Sequence, residues 1–150
     1  MFIPDDVEPP RSLLITPTSG GSLRLEPLGP EHNERDHRAW TSSIDHIRDS
    51  PGFAGRRWPQ MMSLTENARD LARHAEDFTE RRGFTYTVLD EDDDVVGCVY
   101  IYPDDGGTED AHVLSWVRAD RAQLDGVLRT AIANWLRADW PFNTFRYEGA

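Results

Sequence analysis

The residues best able to do chemistry in this chain are its five histidines, its single cysteine and a few close-set carboxylates. Asp110, His112 and Ser115 invite comparison with a hydrolytic triad. Strand alternation puts Ser115 on the opposite sheet face from His112, so the two cannot hydrogen-bond directly. Histidine as a residue type can take a proton near neutral pH, which makes His112 a candidate base, although a lone strand histidine is more commonly structural. Asp90, Asp92 and Asp94 alternate as in a calcium loop. An EF-hand needs Gly at its sixth position and Glu at its twelfth, where this chain has Val95 and Ile101, so a solvated hairpin tip is the better reading. His32, Glu34 and Asp36 resemble a fragment of a zinc deaminase motif, but that motif needs a downstream cysteine pair and Cys98 stands alone. These three read as the exposed first turn of a helix, and no metal is expected.

Aromatic residues are the other candidates. Trp116, Trp135, Trp140, Tyr100 and Tyr102 either fill a core between sheet and helices or line a small-molecule pocket. Tyr100 and Trp116 fit a cleft best, because antiparallel neighbours bring them together. Trp58, after Arg56 and Arg57, completes the set of candidate substrate-pocket residues.

The totals narrow the classes. At 150 residues, 38% hydrophobic with five tryptophans, the chain suits one folded domain. Its 27 acidic and 16 basic residues give a net charge of −11, and every basic residue is arginine. That charge repels phosphate, so nucleic acid and anionic membranes are not expected partners. One cysteine excludes an intramolecular disulfide and fits a reducing compartment. The segment 1–11 is acidic and proline-rich, unlike a signal peptide, and no stretch reaches the roughly 20 apolar residues that span a bilayer, so a cytoplasmic location is expected.

Periodicity supplies the elements that position these residues. An arm over residues 1–21 carries Leu13-Leu14-Ile15 and turns at Gly20-Gly21 into a first strand, a pattern compatible with a loose hairpin, before a single domain over 22–150. Trp40, Ile44 and Ile47 share one face of a helix predicted over 31–49. Ser63 and Glu66 form a capping-box pair, and Leu64, Ala68, Leu71, Ala75 and Phe78 recur on one face until Gly83. Two β-rich runs, 84–89 and 95–102, flank the acidic turn 90–94 as a hairpin. A strand over 111–118 leads to a helix expected to start at an Asp120–Gln123 box, with Leu124, Val127 or Leu128, Ala131 and Trp135 as its stripe. Residues 142–147 read as the last strand.

The order strand, helix, helix, three antiparallel strands, helix, strand over 22–148 resembles the GNAT superfamily of acetyl-CoA-dependent N-acetyltransferases, shortened at its carboxyl end. Its local carriers are the run from Phe84 to Tyr102, returning through Val96-Gly97-Cys98-Val99-Tyr100-Ile101, and the strand from His112 to Val117 leading into a helix. The resemblance implies an α+β fold: a mixed, mostly antiparallel sheet of about six strands with helices on both faces. It also implies a cofactor loop of the form Arg/Gln-x-x-Gly-x-Gly/Ala, presenting backbone N–H groups to a pyrophosphate at a helix start. The matching residues are Arg121-Ala122-Gln123-Leu124-Asp125-Gly126, in which Leu124 replaces the middle glycine. Trp116, Val117, Arg118, Arg121 and Gly126 would form whatever cofactor site remains. Leu124 obstructs close backbone approach, Asp125 repels a phosphate, and an Asp120–Gln123 box would consume donors.

Family members commonly place a general-acid tyrosine on a helix after the fifth strand. No such helix has a counterpart here, and Tyr147 lies on the strand. Some members use a strand glutamate as base, where this chain offers His112 and Ser115. Two functions are therefore expected. The first is acetyl transfer from acetyl-CoA to an amine; the second is a non-catalytic GNAT-fold module acting through self-association or through ligand or protein binding. A homodimer covering the edge 142–147 or the last helix's stripe is the expected assembly.

Overall fold

Six extended segments pair side by side in the computed structural model, which describes residues 1–149. They are β1 (Leu13–Ile15), β2 (Leu23–Pro27), β3 (Phe84–Leu89), β4 (Val95–Tyr102), β5 (Ala111–Val117) and β6 (Phe145–Tyr147). The sheet order is the chain order, antiparallel throughout except for the parallel pair β5–β6. That parallel step needs a crossover, supplied by helix α4 (Leu124–Asp139). On α4's face of the sheet, Leu128, Ile132 and Leu136 pack with Phe84, Tyr86 and Val113. The opposite face carries α1 (Asn33–Thr41), α2 (Ile44–Arg48) and α3 (Leu64–Thr79), whose Trp40, Ile47 and Leu71 pack with Cys98 and Trp116. The architecture is thus α+β, a mixed six-stranded sheet with helices on both faces, and the expected hairpin of β1 with β2 is present.

Four local expectations are corrected. The helix expected over 31–49 is broken, because Thr41, Ser42 and Ser43 are consecutive hydroxyl residues that bond locally. Thr41 Oγ1 donates to His37 O at 2.6 Å and Ser42 Oγ to Ala39 O at 2.8 Å, and the chain restarts as α2. α3 begins at the Ser63–Glu66 capping box but is stopped by Arg81 in the left-handed region, φ 61°, rather than by Gly83. Arg82 N reaches back to Asp77 O at 2.8 Å, and the Arg81 side chain offsets its backbone strain by donating to Pro4 O and Val7 O at 2.6 Å. α4 starts at Leu124 without a side-chain cap, because Asp120 is paired with Arg118 instead of Gln123. The last strand is shorter than 142–147: Asp110 Oδ2 accepts from Asn143 N and Thr144 N, holding a turn ahead of β6.

β5 and β6 stay paired only from Ala111 to Val113, and Glu148 N then donates to Val113 O at 3.1 Å. Beyond that point the gap beside β5 is closed from both faces. Ser115 Oγ and Tyr147 Oη share a buried hydrogen bond of 2.6 Å on α4's side. On the other side Gly52, at φ 90°, sits where any Cβ would collide with Leu114 and Glu148.

Candidate functional site

Asp36 and Trp40 lie one turn apart on α1, and Asn67, Leu71 and His74 follow one another on the facing side of α3. Asn67 ties the two helices together. Its Oδ1 accepts from Trp40 Nε1 at 3.0 Å, while its Nδ2 donates to Asp36 Oδ2 at 3.1 Å and to Asn33 Oδ1 at 2.9 Å. Asp36 is only 4% exposed, and its partner among the described residues is this neutral amide rather than a cation. Burial therefore pushes its carboxyl from 3.8 up to about 6; the Asn67 hydrogen bond, His32 and His37 oppose the shift and Asp70 adds to it.

Asp36 opens into a cavity of about 410 Å³ between α1, α3, the 50–62 segment and the strands β4 and β5. Its walls are aromatic: Trp40 and Trp58 at 5.4 Å between ring centroids, Phe53 and Trp58 at 6.0 Å, Phe53 and Tyr100 at 6.2 Å. At the rim Arg73 Nη2 is neutralised by Asp70 at 2.6 Å, and Arg56 Nε donates to Gly52 O. A buried carboxylate in an aromatic-walled cavity has the chemistry to receive an organic ammonium, through charge and through cation–π attraction.

A second polar chain lines the same cavity. His74 Nδ1 lies 3.1 Å from Tyr102 Oη and 3.0 Å from Thr85 Oγ1, and Tyr102 Oη donates to Asp77 Oδ2 at 2.9 Å. Burial, reinforced by Arg73, lowers the His74 pKa, so the ring is neutral at pH 7. Burial raises the Tyr100 hydroxyl well above its ordinary range, and that hydroxyl accepts from Trp116 Nε1 at 2.9 Å.

Of the pocket and catalytic candidates singled out from sequence, Tyr100, Tyr102, Trp58 and His112 come together at this cavity. His112 Nε2 is paired with Glu148 Oε1 at 2.8 Å across the β5–β6 junction. Trp116 lies beneath the wall, 6.2 Å from Trp58, and is buried. Trp135 and Trp140 pack in the core on α4's face, and the cofactor candidates lie around the start of α4. Val117 is in the core on α4's face; Arg118 pairs with Asp94 and Asp120, each at 2.9 Å, and Arg121 with Asp90 at 3.2 Å. Arg129, one turn after Asp125, bonds that carboxylate at 2.8 Å and also donates to Glu148 O. Leu124 is buried at 5% exposure, the Ala119 N–H is taken by Ser43 Oγ at 2.8 Å, and Gly126 faces open space.

From sequence, His32, Glu34 and Asp36 are expected together in an exposed turn. Glu34 is exposed, but His32 and Asp36 are buried. The overlooked signal was Asp36-x-x-x-Trp40: a carboxylate one turn before an apolar anchor shares its buried face. Asn67 and His74 carried the same signal, falling on α3's apolar stripe with Leu71. Phe53 had no periodic signal, because it stands in an irregular segment.

No protein-family model matches the chain, and no curated protein matches it in sequence. Solved structures do match in shape. The microcin C7 self-immunity acetyltransferase MccE, in complex with acetyl-CoA and AMP, superposes with a TM-score of 0.61 at 14% identity, over 77% of this chain and 61% of that one. The ribosomal-protein-S5-alanine acetyltransferase from Vibrio fischeri gives 0.60 at 13% identity, over 76% and 63%. The GNAT domain of S. lividans PAT gives 0.59 at 16% identity, over 84% and 72%. This chain thus spans less than two thirds of the length of the first two. At such identities the likeness speaks for architecture alone: the chain has the GNAT fold.

Proposed function

We propose that this chain is a GNAT-fold module that binds an organic ammonium in the cavity beneath α1 and α3, without using acetyl-CoA in the manner of the acetyltransferases it resembles. The observation that carries the reading is Asp36, a buried carboxylate with an aromatic-walled cavity before it and a neutral amide for a partner. A ligand cation would supply the charge that the fold withholds, and only part of the desolvation cost would remain to be met on binding.

The start of α4 does not suit a pyrophosphate. A cofactor there needs unspent cations and bare backbone donors. Arg118, Arg121 and Arg129 are each bonded to a carboxylate, with Arg129 Nη2 alone of their nitrogens buried without a partner among the described residues, Ala119 N–H is committed to Ser43, and Leu124 is rooted in the core. The gap beside β5, which a cofactor arm would enter, holds the Ser115–Tyr147 pair and the Gly52 segment.

The second reading, acetyl transfer to an amine in this cavity, is favoured by one observation: the cavity is walled by β4 and β5, and the solved GNAT structures include complexes with acetyl-CoA or coenzyme A. Calorimetric titration separates the two. 2-Phenylethylamine is expected to bind and acetyl-CoA to give no heat at millimolar concentration. Acetyl-CoA binding at micromolar concentration, with acetylated amine as product, would establish the transferase instead.

A further inference from the structure

Resting on that ammonium-binding reading, we propose that His74 Nε2 is a fixed hydrogen-bond acceptor in the cavity, so that the site takes primary or secondary ammonium ions and rejects quaternary ones. Proton counting along the chain of groups behind the ring leads there. Tyr102 has one hydroxyl proton and gives it to Asp77 Oδ2 at 2.9 Å. Its oxygen can then only accept from His74 Nδ1, 3.1 Å away, and a lone pair on Nδ1 would face a lone pair on Tyr102 Oη. Thr85 Oγ1, 3.0 Å from the same nitrogen, has a rotatable hydroxyl and adapts to either arrangement. Nδ1 therefore carries the hydrogen, and in a neutral ring Nε2 carries the lone pair. Nε2 has no hydrogen-bond partner among the described residues, and His74 lines the cavity with Tyr100 5.8 Å away. Asp36 supplies charge, which any ammonium satisfies. The histidine supplies direction, which only an N–H can satisfy, and an N-methyl group there would leave an acceptor unpaired.

Two measurements test this. Long-range ¹H–¹⁵N correlation spectra of the free protein should show His74 with protonated Nδ1 and bare Nε2, and the opposite tautomer would overturn the assignment without reference to any ligand. Titrations should then compare 2-phenylethylamine with its N,N,N-trimethyl derivative in the native protein, His74→Phe and Asp36→Asn. The primary amine should bind about tenfold more tightly to the native protein, and His74→Phe should bring the two to within about threefold. Asp36→Asn should weaken both. If Asp36→Asn weakens both amines but the native protein does not discriminate, or if His74→Phe keeps the full discrimination, the His74 assignment falls and the ammonium site stands. If neither amine binds the native protein, both fall.

Discussion

The cavity beneath α1 and α3 and the start of α4 are both rich in charge, yet they treat it in opposite ways. Around α4 each acid has its base: Asp94 and Asp120 hold Arg118, Asp90 holds Arg121, and Asp125 holds Arg129. The neighbouring Leu124 is packed into the core. In the cavity, Asp36 is buried more deeply than any of those carboxylates and rests on an amide. A fold that only maximised stability would place a cation or an apolar side chain at Asp36. Under the proposed function the unbalanced charge at Asp36 awaits a ligand, whereas the carboxylates at the start of α4 are balanced within the chain.

The strongest way to break this comparison is Leu124→Gly. If the start of α4 is a finished structural corner, the substitution should cost about 4 kcal/mol, from the lost buried side chain and from glycine in the first turn of a helix. Chemical denaturation reads that loss directly. Acetyl-CoA should still fail to bind, since the three arginine pairs and the closed gap beside β5 remain. Binding that appears on removing Leu124 alone would mean that this corner is a cofactor site with a single obstruction, and the contrast with the cavity would collapse.

Asp36→Asn sharpens the other side. For binding, removing the charge that an ammonium would meet in a buried site should lower affinity for 2-phenylethylamine on the order of 100-fold, read by calorimetry. For folding, the sign is opposite to the common one. The carboxyl has a pKa of about 6 in the native state against 3.8 unfolded, so its contribution is fully present below pH 4, fades between pH 4 and 6, and is absent above. At pH 8 the native protein bears the full cost of that ionised buried group, about 3 kcal/mol from the same two values. Asp36→Asn should therefore raise thermal stability at pH 8 and change it little at pH 4. A variant that is less stable at pH 8 would make Asp36 a structural residue.

Much of this was legible in the sequence. β-Rich runs between turn signals place β2, β3, β4, β5 and, with too long a span, β6, helical periodicity places α3 and α4, and β1 falls inside the arm as a loose hairpin. The breaks were less legible, since they are decided by competition: local hydroxyl bonding at Thr41-Ser42-Ser43 against helix continuation, and a side-chain anchor at Arg81 against the freedom of Gly83. Tyr100, Tyr102, Trp58 and His112 are singled out by type and position in the sequence, and the structure brings them to one cavity. Asp36, Asn67 and His74 are not read as site residues, because a polar residue on a buried helical face looks like a solvated one until the partner helix is known. Asp90, Asp92 and Asp94 do lie at a hairpin tip, with Asp90 Oδ1 accepting from Asp92 N and Asp94 N, but Asp90 and Asp94 are bound to Arg121 and Arg118 rather than solvated.

The mildest substitution makes the finest cut. Gly126 is the one loop residue besides Arg121 that matches the cofactor motif, and a glycine there has two possible reasons: close approach of a ligand, or inheritance without present use. It stands inside α4 with ordinary helical φ, and a Cβ would meet nothing within 4 Å. Gly126→Ala should then stabilise the protein by about 0.5–1 kcal/mol, through the helix preference of alanine and the smaller freedom of the unfolded chain. A melting temperature about 3 °C higher is the corresponding shift, with the binding of 2-phenylethylamine unchanged. A glycine retained for a ligand would give the reverse pattern, a stability gain accompanied by lost affinity, so the pair of readings distinguishes a motif still in use from one that survives as sequence alone.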